Sequence, residues 1–372
     1  MEEIKGVNLG NWLVLEKWMD PAIFDGTDAE DETWLCRILG EEEYSRRLRA
    51  HRDSFIGEKD FEFIAERGCN LVRIPVPYFI FGDRKPFPGC IEYLDRAFEW
   101  AKRSGLKILI DLHTTPGGQN GYDNGGIVGV CKWHTERENV LFTLRVLERL
   151  AARYADRTEL FGIEPVNEPI SLAVFRSAPS TPLARDKVEA EGSSYVPMGF
   201  LKGFYKAAYK RLRKYLSEDK AIVFHDGFRL PLWGNFFKKN GMKNVFLDFH
   251  PYIWAMEMFM PIHRPWVYKA YLNIEKNILR LAQRHTRVIV GEWSICNRYA
   301  VDMNLSFLRE GHSDERRRRF RSVARMEMDA FQEAAGMIYW SYRLGRDVDG
   351  NLDESWKESW SWERCIKHGW LD

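Results

Sequence analysis

Leu160-Phe161-Gly162-Ile163-Glu164-Pro165-Val166-Asn167-Glu168-Pro169 is the stretch on which the fold turns. Its first half is short and nearly continuous in apolar residues, as a strand buried on both faces should be. Its second half breaks into Asn167-Glu168-Pro169, with the proline stiffening the exit. A helical pattern from Glu136 to about Tyr154 precedes it. The same helix-then-strand unit recurs upstream and downstream. Towards the N-terminus come Lys107–Leu112 after a helix over Ile91–Arg103 closed by Gly105, Leu71–Val76 after Glu58–Arg67 closed by Gly68, and Val7–Gly10 as the first strand. Towards the C-terminus come Ala221–Phe224 after Phe200–Leu216, Val245–Phe249 after a brief helix around Leu232–Lys239, Val288–Gly291 after Tyr268–Arg284, and Gly336–Trp340 after Glu315–Ala334. Eight apolar strands with helices between them predict an α/β fold, a single (β/α)8 TIM barrel over 1–372. A doubly wound open sheet is the competitor, but no G-x-G-x-x-G or P-loop follows any strand, and no linker divides the chain.

The long connections leave strand C-termini: Asn11–Ser54, Thr114–Thr135, Ile170–Gly199, Tyr252–Trp266 and Ser294–Asp314. In a barrel such long βα loops build the active-site face at the C-terminal ends of the strands. The 170–199 excursion is rich in Ser, Pro and charge and is a candidate lid.

Composition narrows the function. The 55 basic and 54 acidic residues leave a formal charge of +1 over 372 residues, against the basic excess of a nucleic-acid binder. Arg316–Arg319 is flanked by Glu315, Glu327 and Asp329 and reads as a solvated helix face. No run of 18 apolar residues suggests a membrane span. The N-terminal residues lack the pattern of a signal peptide and the six cysteines are scattered, so a cytoplasmic location is expected, or secretion if a leader has been removed. Aromatics make up 14% of the chain, and Tyr122, Trp133, Trp254 and Trp266 fall in polar loops, where flat rings suit the C–H faces of a pyranose.

The polar residues that end the apolar strands carry the chemistry. Arg73 lies on strand 2, Asp111 and His113 end strand 3, and Asn167-Glu168 end strand 4. His250-Pro251-Tyr252 end strand 6, Glu292-Trp293 strand 7 and Trp340 strand 8. In a closed barrel these ends meet at one mouth, and strands 4 and 7 face each other across it. Two opposed glutamates are what glycoside hydrolysis needs: one protonates the leaving oxygen, the other attacks or activates water. Arg73 near Glu292 would favour its ionised form. A partly desolvated Glu168 near a second carboxylate would have the raised pKa of a general acid. Asn167 can bond a sugar hydroxyl, Tyr252 can bond the nucleophile, and Trp340 offers a floor for the ring.

Together these residues resemble glycoside hydrolase family 5, a group of retaining (β/α)8 enzymes, and the resemblance runs from about Gly6 to Trp340. Gly6-Val7-Asn8-Leu9-Gly10-Asn11-Trp12-Leu13-Val14-Leu15-Glu16 and Asp111-Leu112-His113-Thr114-Thr115-Pro116-Gly117-Gly118-Gln119-Asn120-Gly121-Tyr122-Asp123-Asn124 are similar to fungal-type exo-β-1,3-glucanases of that family. The resemblance implies Glu168 as acid/base and Glu292 as nucleophile, with a carboxyl separation of about 5–5.5 Å. It places Arg73, His113, Asn167, His250, Tyr252 and Trp340 around the sugar, Tyr122 at the entrance, and Glu16 and Asp123 on the hydroxyls of a terminal glucose. The chain departs from the subgroup at Gly125–Gly129, where a further acidic residue is missing, and at Ile253–Met256 around Ala255.

The implied activity is a retaining β-glycosidase, exo-acting on short β-glucosides or β-1,3-gluco-oligosaccharides. A β-mannosidase or diglycosidase of the same family is the near alternative, and a non-catalytic carbohydrate-binding protein the distant one. No cofactor or metal is expected: His113 and His250 lack H-x-H or H-E-x-x-H spacing. Asp347–Asp353 departs from the order of an EF-hand loop and reads as an acidic surface turn. Trp356, Trp360, Trp362 and Trp370 read as a C-terminal helix packed on the barrel, with one able to border the pocket.

Overall fold

The computed structural model describes residues 3–301, 312–345 and 354–371. The acidic run 347–353 lies outside them, as do residues 302–311 of the connection Ser294–Asp314. Eight parallel strands close into a barrel in sequence order: β1 Ile4–Asn8, β2 Leu71–Val76, β3 Lys107–Leu112, β4 Leu160–Glu164, β5 Ala221–His225, β6 Val245–Phe249, β7 Arg287–Trp293 and β8 Gly336–Tyr339. β1 pairs with both β2 and β8, which closes the ring. Helices Glu58–Glu66, Ile91–Ser104, Arg137–Tyr154, Met198–Leu212, Pro265–Gln283 and His312–Phe331 occupy the crossovers. The short β5–β6 connection holds only a 3-10 turn at Leu230–Leu232 and a helical turn at Phe236–Lys239.

Strand residues alternate between the lumen and the helix layer. The lower lumen is filled by Ile4, Leu71, Leu109, Ala221, Val223, Phe246, Ile289 and Ile338. The outward-facing set, including Val72, Ile74, Ile108, Ile110, Ile222, Leu247 and Val288, packs under the helices in the main core.

One connection is more ordered than the sequence suggests. Asn11–Ser54 reads as a long loop, yet Glu32–Phe55 is a helix, kinked at Gly40, whose φ of +75° falls in the left-handed region. Its charge-rich sequence hides the apolar face. Leu35, Cys36, Tyr44 and Leu48 nevertheless meet Leu15, Ile23, Phe24 and Phe79 in a satellite core. The Asp31 side chain caps its first turn by accepting from the Trp34 N–H at 2.8 Å.

The 170–199 excursion carries short helices at Leu172–Ser177 and Lys187–Ala190. It is tied to its neighbours: Tyr122 donates to the Ala178 carbonyl at 2.9 Å, Arg37 pairs with Glu189, and Arg185 pairs with Asp28 and Glu30. Arg317, Arg318 and Arg319 pair with Asp314 and Glu315 along an exposed helix face.

Candidate active site

Two residues above the apolar layer the same strands turn polar. Leu71 is followed on the lumen side by Arg73, Leu109 by Asp111, Gly162 by Glu164 and Phe246 by Asp248. Arg73 is fully buried and donates in every direction its planar fork allows. Nε reaches Glu164 Oε2 at 2.9 Å, Nη1 reaches Asn8 Oδ1 at 3.0 Å and Glu292 Oε1 at 2.9 Å, and Nη2 reaches Asn167 Oδ1 at 2.9 Å. Asp111 and Asp248 lie 3.2 and 3.7 Å from the guanidinium. Asp111 also holds His113 Nδ1 at 2.5 Å, and the His113 ring lies parallel to Trp340 with centroids 5.5 Å apart.

Glu168 leaves β4 with φ +46°, a left-handed backbone that costs a non-glycine residue on the order of 1 kcal/mol or more. His250 Nδ1 lies 2.9 Å from Glu168 Oε1 and 3.5 Å from Glu292 Oε2. One imidazole nitrogen therefore touches both carboxylates. Asn124 donates to the second Glu168 oxygen at 2.7 Å, and the Tyr252 hydroxyl donates to Glu292 Oε2 at 2.9 Å. His250 Nε2 faces Asp248 at 3.3 Å, while Asp248 accepts from the Gly291 N–H at 2.7 Å.

The proton distribution differs from the sequence expectation. Five buried carboxyls (Asp111, Glu164, Glu168, Asp248, Glu292) share the positive charge of Arg73 and of His250. Burial pushes the Glu168 carboxyl up, but the hydrogen bond and charge of His250 outweigh it, with help from Asn124, and hold it below the usual carboxylate range. Burial pushes Glu292 up, and the attraction of His250 and Arg73 offsets this only in part. Burial opposes a charge on His250, yet Glu292, Asp248 and Glu168 raise it well above an ordinary histidine. The directions are thus opposite to the expectation of a raised Glu168 and a favoured ionised form of Glu292. The reason is that Glu168 takes both a hydrogen bond and charge from His250 and a second bond from Asn124, while Arg73 is divided among several acids.

The rim gathers the other expected residues. Glu16 accepts from Trp18 Nε1 at 2.9 Å, and burial, then Asp123, raise its pKa well above normal. Burial raises Asp123 as well. Trp340 shares an apolar cluster with Trp360 and the flanking Trp18, Tyr252, Trp254 and Trp356, so Trp360 is the C-terminal tryptophan that borders the site. Trp362 and Trp370 pack elsewhere on the barrel, against Phe63 and Phe320. Trp133, read as a ligand face, is instead core: it is fully buried edge-on against Phe200 and Phe204, with its N–H on Thr143 Oγ1 at 3.0 Å.

Glu164, Asp248, Asn8 and His225 escaped the sequence reading, although the two-residue spacing along the lumen face also selects them. Asn124 and Trp18 carried no such signal. Glu168, His225 and His250 bring candidate metal-ligand atoms within 4.8 Å of one another. The donor set suits protons better. His225 Nδ1 accepts from the Gly227 N–H at 2.9 Å, which leaves the proton on Nε2, and both His250 nitrogens face carboxylates.

A closed (β/α)8 barrel with two glutamates facing one imidazole at its mouth defines a glycoside hydrolase. The chain belongs to glycosyl hydrolase family 5: residues 42–343 match the family described as Cellulase (glycosyl hydrolase family 5). Among curated proteins it is similar to a probable glucan 1,3-beta-glucosidase A from Emericella nidulans, at 33% identity over 92% of this chain and 85% of that protein. It is likewise similar to a glucan 1,3-beta-glucosidase from Lachancea kluyveri, at 30% identity over 94% and 84%. Among solved structures, rutinosidase from Aspergillus niger shares the fold with a TM-score of 0.74 and 20% identity, covering 100% of this chain and 98% of that one.

Proposed function

We propose that the protein is a retaining, exo-acting β-glucosidase in which Glu292 is the nucleophile and Glu168 the acid/base. The observation that carries this reading is the single nitrogen of His250 lying 2.9 and 3.5 Å from the two carboxylates. Their facing oxygens are no farther apart than the sum of those distances. That proximity accommodates the about 5–5.5 Å carboxyl separation of covalent catalysis.

Glu292 attacks the anomeric carbon, with Arg73 and Tyr252 orienting it, as the leaving oxygen takes a proton from Glu168. The resting arrangement supplies that proton through His250. Glu292 contributes most to holding the imidazolium. As its charge is consumed in the glycosyl ester, His250 becomes more acidic and passes Nδ1–H to Glu168. Water then attacks the ester with Glu168 as base, and its proton returns along the same path. Glu16 and Asp123 bind the far hydroxyls of the glucose and Trp340 stacks on its face. Exo-action follows from that acidic closed end, and the relatives named for glucan 1,3-beta-glucosidase activity support glucose in the pocket.

Proton NMR on the hydrolysis of p-nitrophenyl β-glucoside should show β-glucose first, and α-glucose first would sink retention. Glu168→Gln should lower kcat/KM for alkyl glucosides about 10²–10⁴-fold, with a far smaller effect on kcat/KM for the p-nitrophenyl substrate, whose leaving group needs no proton. Faster turnover of a β-mannoside or a disaccharide glycoside would move the protein to that branch of the family.

A further inference from the structure

The loop that leaves β6 carries an apolar surface which the sugar chemistry does not use. Met258, Phe259, Met260, Ile262 and Trp266 are 57, 61, 43, 45 and 66% exposed, so five large apolar side chains stand in solvent within one short segment, a concentration of the kind that marks a binding surface. The stretch 253–262 contains one charge, Glu257, and that carboxylate is buried. It accepts from the Arg298 N–H at 2.9 Å and from the Tyr268 hydroxyl, so the segment is pinned from beneath while its apolar side chains stay in solvent.

This surface is continuous with the sugar site. The same loop begins at His250 and Tyr252, which touch both catalytic carboxylates. Trp254 packs edge-on against Trp356 with centroids 5.3 Å apart. Trp356 leads through Trp18 to Trp360, and Trp360 rests on Tyr252 at 5.3 Å beside the Trp340 floor. The indole nitrogens of Trp356 and Trp360 are buried without an acceptor among the described residues. Glu16 and Asp123, which the β-glucosidase reading sets on the far hydroxyls of the glucose, stand on the loops after β1 and β3, flanking β2, and β6 lies opposite β2 in the ring of eight. A group leaving away from these two acids passes along the β6 loop.

Resting on the β-glucosidase reading, we propose that the β6 loop is an aglycone subsite and that the substrates are amphiphilic β-glucosides, a glucose head on an extended apolar aglycone. A second sugar would need donors and acceptors for its hydroxyls. This stretch offers thioether, methylene and ring surface. Burying apolar aglycone there raises kcat/KM by up to about fourfold for each methylene taken out of water.

The test is kcat/KM for ethyl, butyl, hexyl and octyl β-glucosides, all below their micelle concentrations, with wild type and a Met258→Ser/Phe259→Ser double variant. The primary alcohols leave with nearly equal acidity, so differences report contact with the chain. Wild type should gain at least about tenfold from ethyl to octyl. The variant should lose most of that gain while its rate on ethyl glucoside, too short to reach the loop, stays within about twofold. A flat series in wild type overturns the proposal. So does an equal loss at every chain length in the variant, which would make the loop a structural support. A gain that appears only with micelles, or co-sedimentation with phosphatidylcholine vesicles equal to that of the octyl glucoside, assigns the loop to a lipid surface and also overturns it. Absence of turnover on ethyl and p-nitrophenyl glucosides together would refute the β-glucosidase reading itself and this inference with it. Turnover with a flat series refutes the aglycone subsite alone.

Discussion

Along single strands, two residues separate Leu71 from Arg73, Leu109 from Asp111 and Phe246 from Asp248, and with each step the lumen changes from hydrocarbon to charge. The lower layer is held by close packing and tolerates no voids. The upper layer is held by directed hydrogen bonds around one guanidinium, where geometry matters more than volume. Gly291 shows how closely the upper layer is fitted: a Cβ there would lie 2.1 Å from both Asp248 oxygens. The contrast teaches that one barrel carries stability and chemistry at different heights, so substitutions at the two levels should fail differently.

The largest effect is expected at Glu292. Glu292→Ala should cut turnover on the order of 10⁵-fold, since it removes the covalent step, while thermal melting stays near wild type because a buried acid that resists ionisation has been relieved. Turnover equal to wild type would end the nucleophile assignment. Next comes Arg73→Met, which keeps the volume and removes the cation that Glu164, Asp111 and Glu292 share. Chemical denaturation should show a loss of about 3–5 kcal/mol together with loss of activity. An active, equally stable variant would mean that the upper layer does not depend on its guanidinium. Leu109→Ala in the lower layer should cost about 2–5 kcal/mol by the same measurement, yet leave kcat of the folded fraction unchanged. A large fall in kcat would show that the two layers are coupled.

The smallest effect is on the pH profile. Glu292 must be ionised to attack, and burial raises its pKa, so activity should be lost on acidification at a midpoint above the ordinary glutamate value of about 4.3. The alkaline limb belongs to His250 with Glu168. Its midpoint should lie well above the about 6.5 of a free histidine, leaving a plateau through neutrality. His250→Asn should move the alkaline limb and leave the acid limb as the better-defined one.

Much of this was legible in the order of residues. The apolar runs at Leu71–Val76, Lys107–Leu112 and Leu160–Glu164 declare strands buried on both faces, and Gly68 and Gly105 mark helix ends. The site residues betrayed themselves by ending such runs. The kinked helix Glu32–Phe55 stayed hidden, because its apolar face is interrupted by charge and by Gly40 and finds its partners only in the satellite core. Trp133 misled for the opposite reason: polar neighbours in sequence surround a ring that tertiary packing buries completely.

Local pattern alone determined the eight-stranded barrel and the polar side chains that end its strands, because periodicity, caps and strand ends are properties of neighbouring residues. Where the protons sit was decided by the folded chain. Glu168 is governed by a histidine 82 positions away, and Glu292 by that same histidine together with an arginine 219 positions away. In a site from which water is excluded, such remote charges outweigh anything an adjacent residue contributes.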